Sequence, residues 1–133
     1  MTFTSLKAAI ELVFSGSSWT TNNISIYPDN YQGTISNQNE FCRLNILPAS
    51  SGSNYGGSKN FSGSMIVSIY VKAGEGQSRM MAIADILDVL FANKKLNNGP
   101  ELGSSYLQIG GIDSANSALY TAQYVIPFKT YGE

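Results

Sequence analysis

The sequence predicts an α+β fold: a mixed or antiparallel β-sheet, two α-helices packed on one face of it, and a long β-hairpin loop. Three observations carry this expectation. Apolar residues recur at helical spacing in two segments, residues 6–14 and 80–91. They alternate at strand spacing in residues 41–47, 59–72 and 117–129. These segments, with a shorter strand near residue 25, follow in the order helix, strand, strand, strand, helix, strand, strand, which suits helices segregated to one face of a sheet.

Leu6, Ala9, Ile10, Val13 and Phe14 fall on one face of the first helix. Thr4 is placed to cap its start and Gly16 to end it. The polar residues 15–23 read as a loop, with Trp19 expected to tuck against the core. Residues 24–27 form a short strand closed by Pro28 and Asp29, and residues 30–39 show no period and read as loop. The strand at 41–47 turns Cys42, Leu44 and Ile46 to one side and Phe41, Arg43, Asn45 and Leu47 to the other. Pro48, which has no N–H to give a ladder, is expected to end it.

Residues 49–60 are rich in Gly and Ser and read as a long loop. Alternation resumes at 59–72, where Phe61, Met65, Val67, Ile69 and Val71 share a face with Gly63, while Ile66 and Tyr70 lie opposite. Apolar residues on both faces place this strand centrally. Ala73-Gly74-Glu75-Gly76 makes the turn into the second helix, which begins at Gln77 or Ser78. Its stripe is Met80, Ile83, Ala84, Leu87, Leu90 and Phe91. Lys94 and Lys95 complement its C-terminal dipole, and residues 97–100 stop it. The remainder reads as a hairpin with arms 105–110 and 117–129 and a turn at 113–116. Tyr120, Ala122, Tyr124, Ile126 and Phe128 share a face of the second arm, and Pro127 suggests an edge strand or the end of pairing.

At 133 residues the chain is expected to be a single domain, residues 1–133, with a core large enough to need no staple. Composition narrows the chemistry. There is one cysteine and no histidine, so Ser-His and Cys-His catalysis is excluded and zinc or haem has almost no ligands. Cys42 reads as a small core hydrophobe. A net charge of −1 gives no basic field for sequence-specific nucleic-acid binding. No apolar run reaches the length of a membrane span, and the N-terminal segment carries Lys7 and Glu11 inside its apolar pattern, unlike a signal peptide. A cytoplasmic place of synthesis and assembly is therefore expected. Charged residues are 13% of the chain, against about 25% in ordinary soluble domains. Such a surface suits a protein that assembles.

Few residues offer chemistry. Gly74 and Gly76 are too few for a dinucleotide fingerprint and read as a tight turn. Asp85 and Asp88 are neighbours on the polar side of the second helix and could hold a cation or act as acid and base, or simply face solvent. A Ser-Lys pair is not excluded by composition. Tyr106, Tyr120, Tyr124 and Tyr131 could form a stacking platform, but without interleaved basic residues they fit sheet packing or a subunit interface better. The Gly/Ser-rich loop is either a disordered tip or an arm that orders against a neighbouring subunit, with Tyr55 as its anchor.

The run from Phe41 to Phe91, with "RLNILP", "GSMIVSIYVKAGEG" and "AIADILDVLF", and the ending "YVIPFKTYGE", resemble the tail terminator (tail completion) proteins of long-tailed bacteriophages, the group of the lambda-type minor tail protein U. The element order is similar over most of the chain and the residue detail over about half. The chain departs from the pattern at Phe41-Cys42 and in residues 29–39. The resemblance implies a virion protein of the tail or neck, with no cofactor and no catalysis. It implies a homo-oligomeric ring, usually a hexamer, that caps the tail tube protein, ends polymerisation and offers a surface to a head-completion or neck protein. DNA could pass through such a ring. Under this reading the interface residues are Arg43, Lys72, Arg79 and the loop residues Ser50, Ser51, Gly52, Ser53, Asn54, Tyr55, Gly56, Gly57, Ser58 and Lys59. The alternatives are another tail tube or head-tail completion protein and, more remotely, a small α+β hydrolase or ligand-binding domain.

Overall fold

The computed structural model describes residues 3–21, 24–28, 40–53, 59–74, 77–96, 100–112 and 119–129. It contains helices α1 (Phe3–Ser15), α2 (Ser17–Thr20) and α3 (Ser78–Phe91). The strands are β1 (Ser25–Pro28), β2 (Phe41–Ser53), β3 (Lys59–Lys72), β4 (Glu101–Leu102), β5 (Tyr106–Ile112) and β6 (Leu119–Lys129). This is the expected α+β class.

The sheet runs β1-β2-β3-β6-β4, with β5 also paired to β6. β1 is parallel to β2, and every other pair is antiparallel. β4 and β5 share one side of β6. Leu102 lies opposite Phe128 and Tyr106 opposite Val125, so the two short strands act as one strand broken at residues 103–105.

One cluster forms the core. Leu6, Ile10, Phe14 and Trp19 from α1 and α2 meet Met80, Ile83, Leu87 and Phe91 from α3. Both groups pack on Cys42, Met65, Val67, Ile69, Ala122, Tyr124, Ile126 and Phe128 of the sheet. The period-2 rows supply the floor and the helical stripes the cover, which puts all three helices on one face. Fully burying a side chain such as Leu6 or Ile83 contributes about 2 kcal/mol. Phe14 joins the two helical layers, meeting Trp19 edge-on at 5.0 Å and Phe91 at 5.3 Å between ring centroids.

Four local expectations need correction. The first helix starts at Phe3, so Thr4 lies inside it and does not cap it. The segment after Gly16 is not wholly loop, because residues 17–20 form a helical turn that carries Trp19 into the core. Pro48 does not end its strand. β2 continues to Ser53, with a register shift between Pro48 and Ser50. β1 stops opposite Leu44, so Pro48 lies where the outer side of β2 has no described partner, and its missing N–H costs no ladder bond there.

Pro127 is also not on an edge, for β6 lies between β3 and β4/β5. Its carbonyl accepts a hydrogen bond from the Gly103 N–H at 3.0 Å. In an antiparallel strand the N and O of one residue point the same way. The missing donor of Pro127 therefore faces the break between β4 and β5. A proline is tolerated in this central strand because the neighbouring ladder is already interrupted there.

After α3 the chain doubles back. Lys94 donates from Nζ to the Val89 carbonyl at the end of the helix, and Asn93 adopts a φ of 55°. Asn93 N–H bonds to Gly103 O, and Leu102 N–H to Lys94 O. The sequence pattern does not mark β4. Two residues with no alternating pattern leave nothing to find. The expected turn at 113–116 and the residues Glu75 and Gly76 lie outside the described residues.

Candidate functional site

Three regions bear on function: the arm formed by β2 and β3, the helix-free face of the sheet, and the polar cluster where α3 meets β6.

The expected long loop is mostly strand. Ser50 pairs with Ser62, Ser51 with Phe61, Gly52 with Asn60 and Ser53 with Lys59. β6 reaches only as far as Ser62, opposite Lys129, and β1 only as far as Leu44. Residues 51–53 and 59–61 therefore pair, among the described residues, only with each other. Among the described residues they form a two-stranded ribbon beyond the other strands. The loop reading failed because Ser and Gly have low strand propensity and no apolar row marks a buried face. Of the predicted interface residues, Ser50, Ser51, Gly52, Ser53 and Lys59 are backbone members of this ribbon. Asn54, Tyr55, Gly56, Gly57 and Ser58 lie outside the described residues.

The helix-free face carries Tyr27 from β1, Phe41, Arg43, Asn45 and Leu47 from β2, and Tyr70, Ser68, Ile66 and Ser64 from β3. β6 and β5 continue the rows with Thr121, Gln123, Val125 and Tyr106. Phe41 and Tyr70 are opposite one another and stack, 4.6 Å apart and 9° from parallel, with Tyr27 edge-on to Phe41 at 6.1 Å. This group buries Phe41 on the side away from the helices. Leu47 and Tyr106, by contrast, are 45% and 57% exposed.

The sequence favours sheet packing over a stacking platform for the tyrosines, and among the described residues Tyr106, Tyr120 and Tyr124 do not share one face. Tyr124 is buried under the helices, Tyr120 faces the same side, Tyr106 faces the other, and Tyr131 lies outside the described residues. The aromatic group that does form joins residues from three strands. Only the strand pairing brings them together, and the sequence does not print that register.

Arg43 lies on this face opposite Ser68, and Lys72 is exposed at the end of β3 opposite Leu119. Arg79 is held within the chain. Its Nε and Nη2 donate to the two carboxylate oxygens of Glu40 at 2.7 Å each. The Arg79 guanidinium, chiefly through these hydrogen bonds, holds Glu40 below the usual carboxylate range. The pair ties the first turn of α3 to the start of β2.

Asp85 and Asp88 do not act as a pair. Asp85 is exposed. Asp88 Oδ1 accepts hydrogen bonds from Tyr124 Oη at 2.6 Å and Ser105 Oγ at 2.5 Å. Burial, and then the bond it donates to Asp88, push the Tyr124 phenol above the ordinary tyrosine range. The cluster links α3, β6 and the break between β4 and β5. Cys42 is fully buried, and burial pushes its thiol up to about 12. No group of three or more metal-ligating side chains is found among the described residues. Among the described residues no helix is long and apolar enough to cross a membrane.

β5 is the edge strand beyond β6. It contains no charged residue and no proline, and Ile112 is 61% exposed. Its bulge rests on two glycines. A Cβ at Gly110 would come within 2.9 Å of Thr121 Oγ1, and Gly111 has a φ of +87°.

No protein-family model matches this chain. No curated protein matches it. Solved structures do. One, whose name carries no functional description, aligns over 100% of this chain and 99% of its own, with 18% identity and a TM-score of 0.63. Another is a chain of the virion of a native gene transfer agent (GTA) particle. It aligns over 93% of this chain and 92% of its own, with 12% identity and a TM-score of 0.62. At these identities the likeness is one of fold.

Proposed function

We propose that this chain is a structural protein of a phage-like particle and, within that class, a tail terminator. In this reading copies form a ring, a hexamer by the family resemblance. One ring face fits the end of the tail tube, and the other offers a surface to a neck or head-completion protein and recruits no further tube ring. The work is done by fit, and no bond is made or broken.

The observation that carries the reading is the shared fold with a chain of a gene transfer agent virion, along nearly the full length of both. The motif resemblance of Phe41–Phe91 to tail terminators gives the finer role. Two features support an assembling protein in kind. The ribbon of β2 and β3 stands beyond the sheet, and β5 leaves an uncharged edge. The interface residues proposed are those of the ribbon and its tip, residues 50–59, together with Arg43 and Lys72. Arg79 is assigned instead to its tie with Glu40.

Electron microscopy of the purified protein, alone and mixed with tail tubes, tests the proposal. Closed rings that cap tube ends are the expected result. Long tubes from the pure protein would replace the terminator role with that of a tube protein. A strict monomer that never joins tubes, even at high concentration, would overturn the reading.

A further inference from the structure

The helical layer stops short of one side of the sheet. A packed helix is about 10 Å across, the width of about two strands spaced about 4.8 Å apart. α1 and α3 therefore cover about four strands of a sheet that is five across. α3 lies along β6. Gln77 Nε2 at its start donates to Tyr120 Oη at 3.2 Å, and Asp88 near its end accepts from Tyr124. Asp88 also accepts from Ser105, just before β5, so the flank of α3 that carries Asp88 turns toward β5. Met81, two turns earlier, shares that flank. There the cover ends: Met81 is 45% exposed, and Ile109 and Ile112 of β5 are 36% and 61% exposed.

A backbone device aims β5 into this bare strip. Leu107, Ile109 and Ile112 pair with Tyr124, Ala122 and Tyr120, the row of β6 that faces the helices. In an unbroken strand Ile109 and Ile112, three apart, would point to opposite faces. The extra residue between Ile109 and Gly111 returns Ile112 to the face of Ile109. The backbone is shaped for that bulge. Gly111 takes a φ of +87°, and a Cβ at Gly110 would meet Thr121 Oγ1 at 2.9 Å. The same hydroxyl donates to the Gly111 carbonyl at 3.0 Å. Yet Ile112, the side chain so aimed, stays largely exposed. Met81, Ile109 and Ile112, with Tyr120 between them, form an apolar trough whose walls the chain itself leaves open.

We propose that this trough seats the outer stripe of α1, Ala8 and Leu12, from a second copy of the chain. Ala8 and Leu12 are one turn apart on the side of α1 away from Leu6 and Ile10, and Leu12 is 68% exposed. The alanine lets the helix approach closely, and the leucine fills the space between Met81 and Ile112. The charges match as well. Asp85, one turn after Met81, is exposed on the rim, and β5 carries no charge. α1 brings Lys7. Its pair with Glu11 is exposed at 63% and 47%, so it contributes little and Lys7 can turn to Asp85. A two-fold contact of trough on trough would instead set Asp85 of each copy toward the other. Stripe and trough are different surfaces of one chain. The contact is therefore heterologous, and every copy keeps one of each free until the series closes. The inference rests on the proposed association of copies and names the surfaces that join; it does not involve the tail tube.

The test places a lysine on each surface, Leu12→Lys and Ile112→Lys, both at exposed positions. The wild-type chain is expected to run in light scattering as a multiple of 14.3 kDa, and each variant at the single-chain mass with unchanged circular dichroism. A second measurement does not depend on the lysines. Leu12→Cys mixed with Ile112→Cys or Met81→Cys is expected to cross-link under oxidation, while each alone is not. The buried Cys42 does not compete.

Either lysine variant staying assembled, a wild-type monomer at every concentration, or no cross-link in the mixtures would each overturn the proposal. So would covalent dimers from Leu12→Cys or Ile112→Cys alone, which would mean a two-fold contact. If Ile112→Lys stops tail joining but leaves rings intact, the trough belongs to a tail partner and the proposal also falls. Assemblies that need both residues but never cap a tube would sink the terminator reading and leave this inference standing. Capping rings that tolerate both lysines would do the reverse.

Discussion

Replacing Tyr124 with Phe removes one hydroxyl from the contact between α3 and β6 and leaves the ring in place. Tyr124 is 1% exposed, and its hydroxyl donates to Asp88 at 2.6 Å. A hydrogen bond to a charged acceptor contributes about 1.5–3 kcal/mol. Asp88 is exposed and keeps Ser105 as a donor, so water can repair part of the loss. The expected cost is therefore at the lower end, about 1.5 kcal/mol, or a fall in Tm of about 3–6 °C for a domain of this size. Asp88→Ala should cost as much or more, because it strands the Tyr124 hydroxyl in a buried site. Urea unfolding followed by circular dichroism, on both single variants and the double variant, measures the coupling. It is expected at about 1–1.5 kcal/mol. A coupling below about 0.3 kcal/mol would show that the two groups act independently and would refute the view that this bond fastens the helix to the sheet.

Other outcomes follow from the same geometry. Arg79→Ala should cost about 0.5–1 kcal/mol, since the pair with Glu40 is partly exposed at 45% and 31%. Glu40 has a folded-state value depressed below its ordinary 4.5, so this contribution is fully present above about pH 4.5. It is lost as pH falls through the lowered folded value, and unfolding curves of wild type and variant should converge in acid. Phe41→Ala should cost about 3 kcal/mol by thermal melting, because it empties a buried position and breaks the stack with Tyr70. Cys42 should resist a thiol reagent in the folded protein and react at an ordinary rate in denaturant, as a buried thiol raised to about 12 requires. Deleting residues 51–57 should leave melting within about 1 kcal/mol of wild type, since the ribbon lies beyond the sheet. It should also weaken ring formation or tail joining, and intact, tail-competent rings from that deletion would remove the ribbon from the interface.

The fold class was legible because the core is written in two periods. Leu6, Ile10 and Phe14 on one helix, and Met65, Val67 and Ile69 on the central strand, announce their faces without any knowledge of the partner. The prolines were misread for one shared reason. Pro48 and Pro127 each mark a stop in isolation, but whether a strand can hold a proline depends on what its neighbour does at that point. At Pro48 the neighbour has ended, and at Pro127 it is broken. The serine-rich ribbon was missed because strand pairing far from the core needs no apolar row. The sequence offers Asp85 and Asp88 only as neighbours on the polar side of a helix, and it does not distinguish the exposed Asp85 from Asp88, which accepts two hydrogen bonds. Its partners Tyr124 and Ser105, distant in sequence, could be named only from the register of β5 and β6 against α3.

The placement of β6 also shapes how the molecule must come together. It follows every other described element in the chain, yet it lies between β3 and β5. Until it arrives, the hairpin of β2 and β3 has an unpaired side along Met65, Val67 and Ile69, and β5 has no sheet to join. Folding therefore waits on the pairing most distant in sequence, and local hairpin formation alone cannot complete the sheet. A chain in which β6 has not yet paired would leave the β3 side that it covers open. A copy that pairs early with a neighbour's loose strand would be trapped in the wrong partnership.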